Sequence, residues 1–198
     1  MARMRIIGAV VGACLFSTMA LAATDLPAPL VAKCQACHGD GGNSPTGAVP
    51  RLNGQQAAYI AKRLHDFSNL ASEDPHAMKA MWPVVSDLSN DTFDALAAYY
   101  AGQPPTKSRP QGPLAALGRK IYANGATTEE IRPCQACHGA QGEGGAAAPR
   151  LAGQHAAYLT SQLERLRLLT RVDDTMFHNA RGMSDQQIRA LVAYLAAD

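Results

Sequence analysis

Two short cysteine–histidine motifs carry the clearest chemistry in this sequence of 198 residues. They are Cys34-Gln-Ala-Cys37-His38 and Cys134-Gln-Ala-Cys137-His138. Two cysteines three positions apart on one helical turn can form thioethers with the two vinyl groups of a haem, and the histidine that follows can ligate the iron. Each motif therefore predicts one covalently attached haem c, with the motif histidine as an iron ligand.

Other roles for these cysteines fit the spacing less well. Four cysteines could bind one zinc ion, but the two pairs lie 100 residues apart and each is followed by a histidine. A thioredoxin-like redox pair needs a strand–helix context that the sequence lacks. Disulfides are common in exported proteins, but they would leave His38 and His138 unexplained.

An internal repeat puts the two motifs at equivalent positions. The segment Pro-Arg-Leu-x-Gly-Gln occurs at 50–55 and again at 149–154, and Ala-Ala-Tyr occurs at 57–59 and at 156–158. The offset is 100 at the cysteines, 99 through the middle and 95 at the end, so about four residues are missing from the second copy between Tyr158 and Met176. We predict a first domain at 23–103, a Pro/Gly-rich linker at 104–112 and a second domain at 113–198.

The pattern of each copy is helical, without a convincing alternating strand, which predicts an all-α fold of two tandem cytochrome c-like domains. One helix is expected from Gln55 to about Phe67 and from Gln154 to about Leu169. The last helix of each copy has an apolar stripe at i, i+3, i+4 and i+7, with Ser89 or Ser184 as its N-cap. The stripe residues are Phe93, Leu96, Ala97 and Tyr100, and Ile188, Leu191, Val192 and Leu195. A domain of about 80 residues has a small core of its own, so we expect a haem to fill the centre of each.

The repeat also indicates the second axial ligand of each iron, for which histidine or methionine is usual. Met81 lies seven residues before Leu88, and Met176 lies seven residues before Met183, the equivalent of Leu88. We therefore predict Met81 and Met176 as ligands, although methionines can also simply fill a core. Met78, one helical turn from Met81, is the alternative in the first domain. No other histidine has a histidine at its equivalent position.

The remaining histidines and the loop ends have supporting roles in this interpretation. Pro50 and Pro149 have free carbonyls that could accept the second N–H of each ligating histidine. Arg51 and Arg150 could pair with haem propionates, although a surface arginine at a loop end fits equally well. We interpret Met183 as a core residue and the other histidines as surface residues. Those histidines are His65, His76, His155 and His178.

The first 22 residues have the features of a cleaved secretory signal peptide. Arg3 and Arg5 precede an apolar run, and Ala20-Leu21-Ala22 is a small-x-small cleavage site. A retained membrane anchor, or a lipoprotein modified at Cys14, are the alternatives. The prediction places the protein in the periplasm.

The charges of the predicted mature chain are unevenly distributed. Residues 24–105 contain five basic and eight acidic side chains, a net charge of −3, whereas residues 106–198 contain eleven and eight, a net charge of +3. Such a dipole could orient docking to charged partners. The few aromatic residues and the lack of a basic run argue against nucleic-acid binding.

In combination, these motifs resemble the cytochrome c4 family. The resemblance covers nearly the whole predicted mature chain and rests on the two haem motifs, the two Pro-Arg-Leu-x-Gly-Gln segments and the late methionines. It implies two class I cytochrome c domains related by a pseudo-two-fold axis, with the haems close at the interface. It also implies His/Met ligation, with Pro50 and Pro149 accepting from the ligand histidines.

The family resemblance further implies a function in respiration. Such a protein takes electrons from a quinol-oxidising cytochrome complex and passes them toward a terminal oxidase, often in peripheral association with the membrane. If Met81 and Met176 both ligate, each iron is six-coordinate and closed to small molecules. Two alternatives stay open: an electron-accepting subunit of a periplasmic dehydrogenase, and a dihaem enzyme such as a peroxidase or a sulfur-compound dehydrogenase. An enzyme would need one iron with an open position.

Overall fold

The computed structural model describes residues 26–71, 74–127, 130–146 and 148–197. This part of the chain is helical and has no β-strand, apart from one isolated bridge between Ala126 and Ile131. The all-α prediction is therefore confirmed. The helices of the first half are α1 (Ala28–His38), α2 (Ala57–Ser68), α3 (Pro75–Val85) and α4 (Asn90–Ala101), with a 3₁₀ turn at Asp40–Gly42. The helices of the second half are α5 (Ala115–Asn124), α6 (Gln135–His138), α7 (Ala156–Arg167), α8 (Asp174–Ala180) and α9 (Asp185–Leu195).

The predicted signal peptide, at 1–22, lies outside the described residues. Among the residues that the structure does describe, no helix combines the length and apolar character needed to cross a membrane.

Local sequence determines where several helices begin. Ser89 and Ser184 cap α4 and α9 as predicted, and Gln187 completes a capping box with Ser184. Asp74 and Asp173 cap α3 and α8 in the same way, since each carboxylate accepts the N–H of the third helical residue. The two helices that carry the candidate methionines therefore start from the same local structure.

Each half of the chain has its own apolar core. In the first half, α2 packs against α3 and α4; in the second, α7 packs against α8 and α9. Every residue of the predicted stripes on α4 and α9 is buried, between 1% and 8% exposed. Met183 is 4% exposed and belongs to the second core, as predicted.

The residues that the second copy lacks correspond to part of a single helix. α2 and α7 both have 12 residues, and the loops that follow them, at 69–74 and 168–173, have the same length. α3 has 11 residues, whereas α8 has 7. The two helices end at equivalent positions. The N–H of the C-cap residue donates to Trp82 O in α3 and to Phe177 O in α8, and these two residues are related by the offset of 95. The second copy therefore lacks one turn at the N-terminal end of this helix.

The second half contains a helix, α5, that the sequence pattern did not predict. α5 crosses α9 closely at Gly118, where an added Cβ would overlap the carbonyl group of Ala190. Glycine permits this close approach of two backbones. In the first half, α4 packs mainly against α2.

Candidate functional site

The two cysteine–histidine motifs occupy helical turns at the edge of each core. In each motif the first cysteine is half-buried and packs against the core, the second is exposed, and the histidine is buried. None of the four described cysteines forms a disulfide. Burial raises the pKa of Cys34 and raises that of Cys134 to about 11. The arrangement presents two cysteine sulfurs and one histidine on one turn.

Both motif histidines make the same hydrogen bond. His38 Nδ1 lies 2.9 Å from the carbonyl oxygen of Pro50, and His138 Nδ1 lies 2.9 Å from that of Pro149. A carbonyl only accepts, so Nδ1 carries the proton and Nε2 keeps its lone pair in the neutral ring. Burial lowers the pKa of both histidines, an effect that the proline carbonyls oppose. Each ring is thus held in the tautomer that a metal ligand needs.

The candidate methionines lie on equivalent turns. Met81 on α3 and Met176 on α8 are both half-buried and pack against the core of their own domain. Because α3 and α8 end equivalently, the structure aligns Met81 with Met176, at the offset of 95 found in the sequence. Met78 also packs against the first core, one turn before Met81. The helix turn that contains Met78 has no counterpart in the shorter α8.

The Pro-Arg-Leu-x-Gly-Gln segments form the contact between the two domains. The side-chain amide of Gln154 accepts the backbone N–H of Arg51 at 2.9 Å and donates to its carbonyl at 3.0 Å. Gln55 makes the same pair of bonds to Arg150, at 2.7 and 3.0 Å. This reciprocity is what a pseudo-two-fold axis between the domains produces. Both glutamines are buried, at 7% and 8% exposure.

The guanidinium groups of Arg51 and Arg150 lie at the same interface. Arg51 Nη1 donates to Gly153 O at 2.8 Å, and its Nε donates to Asn43 Oδ1 at 3.1 Å. Arg150 Nη2 donates to Thr106 O at 3.1 Å. The Nε of Arg150 is buried without a hydrogen-bond partner in the described part of the chain. The two arginines are therefore interface residues rather than freely exposed loop residues.

The interpretation of His155 as a surface residue is wrong. Its ring is 3% exposed, and its Nε2 lies 2.9 Å from the carbonyl of Ser44 in the other domain. Gln56, at the equivalent position of the first domain, donates to Glu143 O at 2.8 Å. The contact between the two domains therefore buries His155 at their interface. His76 and His178 are exposed, and His65 is half-buried with its ring against Phe93.

Comparisons with known proteins agree with this geometry. The family model "Cytochrome c" matches residues 115–197, and the model "Cytochrome C oxidase, cbb3-type, subunit III" matches residues 23–99. The chain is 38% identical over 168 residues to cytochrome c4 of Thiocapsa roseopersicina, covering 82% of this chain and 85% of that protein. The chain belongs to the cytochrome c4 family.

Two further relatives add structural and functional context. The solved structure of Acidithiobacillus ferrooxidans cytochrome c4 matches with a TM-score of 0.78 at 34% identity, covering 84% of this chain and 98% of that one. The "Thiosulfate dehydrogenase electron acceptor" of Stutzerimonas stutzeri is 38% identical over 176 residues, covering 85% of this chain and 80% of that protein. This cytochrome c4 family member is an electron-transfer protein with two covalent haem c groups.

The described residues fit these haem groups. Each motif has on one turn two cysteines that form no disulfide and a buried histidine whose Nδ1 proton is held by a proline carbonyl, which leaves Nε2 to face a ligand. In the first domain, the hydroxyl of Tyr100 is buried without an oxygen or nitrogen partner among the described residues, beside the sulfur of Cys34. A buried polar group without a partner is costly, and it indicates that another group completes this site. The haem supplies a one-electron iron couple when bound, and the protein supplies its position and surroundings.

Several residues at or near the sites were not predicted to have a role. Gln55 and Gln154 are identical in the repeat, which was the signal that could have indicated their interface role. His155 gave no such signal, because its equivalent is a glutamine. Tyr100 was predicted only as a core residue, although it stands where the second domain has Leu195.

Proposed function

We propose that this protein is a periplasmic carrier that moves single electrons between redox proteins and has no substrate chemistry of its own. His38 and Met81 ligate the iron of the first haem, and His138 and Met176 ligate that of the second. The observation that carries the proposal is the match between the two sites, in the histidine–proline bonds of 2.9 Å and in the aligned methionines. Two six-coordinate irons leave no position open for a small molecule.

The residues around the ligands have positioning roles in this proposal. Pro50 and Pro149 hold the ligand histidines in one orientation through their carbonyls. Arg51 and Arg150 stabilise haem propionates through their guanidinium groups. The partnerless Nε of Arg150 supports this role, because a buried guanidinium N–H needs an acceptor.

The cellular setting is also a proposal. The chain is exported and cleaved after Ala22, giving the predicted domains 23–103 and 113–198 joined by the linker 104–112. Electrons enter from a quinol-oxidising cytochrome complex and leave toward a terminal oxidase. The opposite net charges of the two domains support two distinct docking surfaces, one for each partner. N-terminal sequencing of the exported protein tests the cleavage site.

A direct test is the optical spectrum of the purified oxidised and reduced protein, with haem quantified per chain. We expect two covalent haems, low-spin spectra in both oxidation states and the long-wavelength absorption band of methionine-ligated ferric haem. We also expect no binding of carbon monoxide to the reduced protein. A high-spin fraction that binds carbon monoxide would mean that one iron is open, and would favour an oxidoreductase.

The relative from Stutzerimonas stutzeri supports a second candidate function. In this alternative, the protein accepts electrons from a dehydrogenase that oxidises thiosulfate. The two candidates differ in the donor and share the same haem sites. Reduction by such a dehydrogenase with thiosulfate, faster than reduction by a quinol-oxidising complex at equal concentrations, would favour the second. The opposite order of rates would favour the respiratory carrier.

A further inference from the structure

Tyr100 and Leu195 occupy the same place in the two domains. The backbone carbonyl of Tyr100 accepts the N–H of Gly54 at 2.9 Å, and that of Leu195 accepts the N–H of Gly153 at 2.8 Å. Their side chains also pack against equivalent glycines of the loops that follow the haem motifs: an added Cβ would lie 2.7 Å from the Tyr100 ring at Gly42 and 3.0 Å from the Leu195 side chain at Gly142. The two domains therefore differ here by one buried phenol.

The hydroxyl of Tyr100 is a donor held close to the first haem-attachment cysteine. The side chain is 2% exposed, and its hydroxyl has no hydrogen-bond partner of good geometry among the described residues. Cys34 packs against the core cluster that contains Tyr100. Burial raises the pKa of Tyr100, and the charge of Cys34 and a hydrogen bond to it raise that pKa further. The Tyr99 ring packs edge-on at 4.9 Å and restricts the phenol.

The second domain has a buried tyrosine near its own attachment cysteine, but this hydroxyl is already engaged. Tyr122 comes from α5 rather than from the last helix, and burial followed by the charge of Cys134 raises its pKa. Its hydroxyl donates to the carbonyl of Gly139 at 2.6 Å, directly after His138. The hydrogen of Tyr122 is therefore directed at a backbone carbonyl, whereas the Tyr100 hydroxyl has no such oxygen acceptor among the described residues.

We propose that the Tyr100 hydroxyl donates toward the Cys34 thioether and the adjacent haem edge, and that it raises the reduction potential of the first haem relative to that of the second. This inference rests on the proposed attachment of the first haem at Cys34. The ferric haem carries one more positive charge than the ferrous haem, so the positive end of an O–H dipole disfavours the oxidised form. In a buried site of low dielectric this interaction is strong. Through this interaction, Tyr100 sets a difference in reduction potential between two otherwise matched sites.

The test is a spectroelectrochemical titration of the dihaem protein and of reciprocal variants. Tyr100→Phe removes only the hydroxyl, and we expect about a tenfold change in one reduction equilibrium, a fall of about 59 mV for one electron. Tyr100→Leu, which copies the second domain, should lower the same potential. Leu195→Tyr should instead raise the other potential. Tyr99→Phe, the same chemical change one residue away, is the matched control and should move neither.

Three outcomes would overturn the inference: unchanged potentials in Tyr100→Phe, an equal shift of both potentials, or a fall of the same size in Tyr99→Phe. If Leu195→Tyr does not fold, the phenylalanine and leucine variants at position 100 still decide the question. Haem content and the methionine-dependent band are recorded for every variant. Loss of covalent haem from the unsubstituted protein would refute the proposed function itself, whereas two bound haems with unshifted potentials would refute only the role of Tyr100.

Discussion

The side chain of Gln154 forms a two-way hydrogen-bonded pair with the backbone of Arg51 across the domain interface, and Gln55 repeats the pair with Arg150. Because all four bonds lie between domains, they should make the two domains unfold together. If each domain were held only by contacts within itself, the unfolding of one domain would not be coupled to that of the other.

Replacing Gln154 by alanine should therefore weaken the coupling between the domains. The change removes both hydrogen bonds between the Gln154 side chain and the backbone of Arg51, which costs about 1–3 kcal/mol in the free energy of unfolding. In the double variant with Gln55→Ala, we expect the single denaturant transition to split into two. Gln103→Ala is the control, because its amide bonds to Tyr99 O within the first domain. An equal loss in the control would contradict an interface role.

Gly118→Ala should destabilise the second domain selectively. The added methyl group overlaps the Ala190 carbonyl where α5 crosses α9, and overpacking of this kind costs about 1–3 kcal/mol. Gly102→Ala, at the end of α4 with a negative φ of −75°, should change stability by less than about 0.5 kcal/mol. The same comparison in the Gln55→Ala/Gln154→Ala background, where the two domains are expected to unfold separately, would identify the affected domain. Equal destabilisation by both alanines would contradict the prediction.

Met81→Ala and Met176→Ala should each remove about half of the methionine-dependent absorption band, because each removes one of the two proposed methionine ligands. Met78→Ala should leave the band intact and change stability only through lost packing. If Met78→Ala removes half of the band and Met81→Ala does not, Met78 is the ligand in the first domain. Carbon monoxide binding by the reduced variants gives an independent measure of whether an iron coordination position has been opened.

Cys37→Ser and Cys137→Ser should each impair folding of one domain and not merely its redox activity. Each apolar core is small, and the first cysteine of each motif, Cys34 or Cys134, packs against it, so firm haem attachment through both cysteines is needed to complete it. Limited proteolysis should cleave the altered domain first. A compact, protease-resistant variant obtained in normal yield would show that the cores are sufficient without firm attachment.

The amino-acid sequence by itself determined the helical class, the duplication and the haem motifs. These are local or periodic properties: a motif of five residues specifies haem attachment, an apolar stripe specifies a buried helix face, and a serine before the stripe specifies its start. The equivalence of Met81 and Met176 also followed from the sequence, because two copies of one domain provide an alignment within a single chain. The missing turn of α8 appeared in the sequence only as a change of offset.

The tertiary structure alone decided which residues meet between the domains and which polar groups remain without a partner. His155 looked like a surface residue, because nothing local indicates that a pseudo-two-fold axis brings Ser44 against it. The close crossing at Gly118 depends on a residue more than 70 positions away, at Ala190. Tyr100 fitted its apolar stripe as well as Leu195 did, since the stripe records only burial. The direction of its hydroxyl, and the fact that Tyr122 already has a partner for its own, depend on how the helices pack in three dimensions.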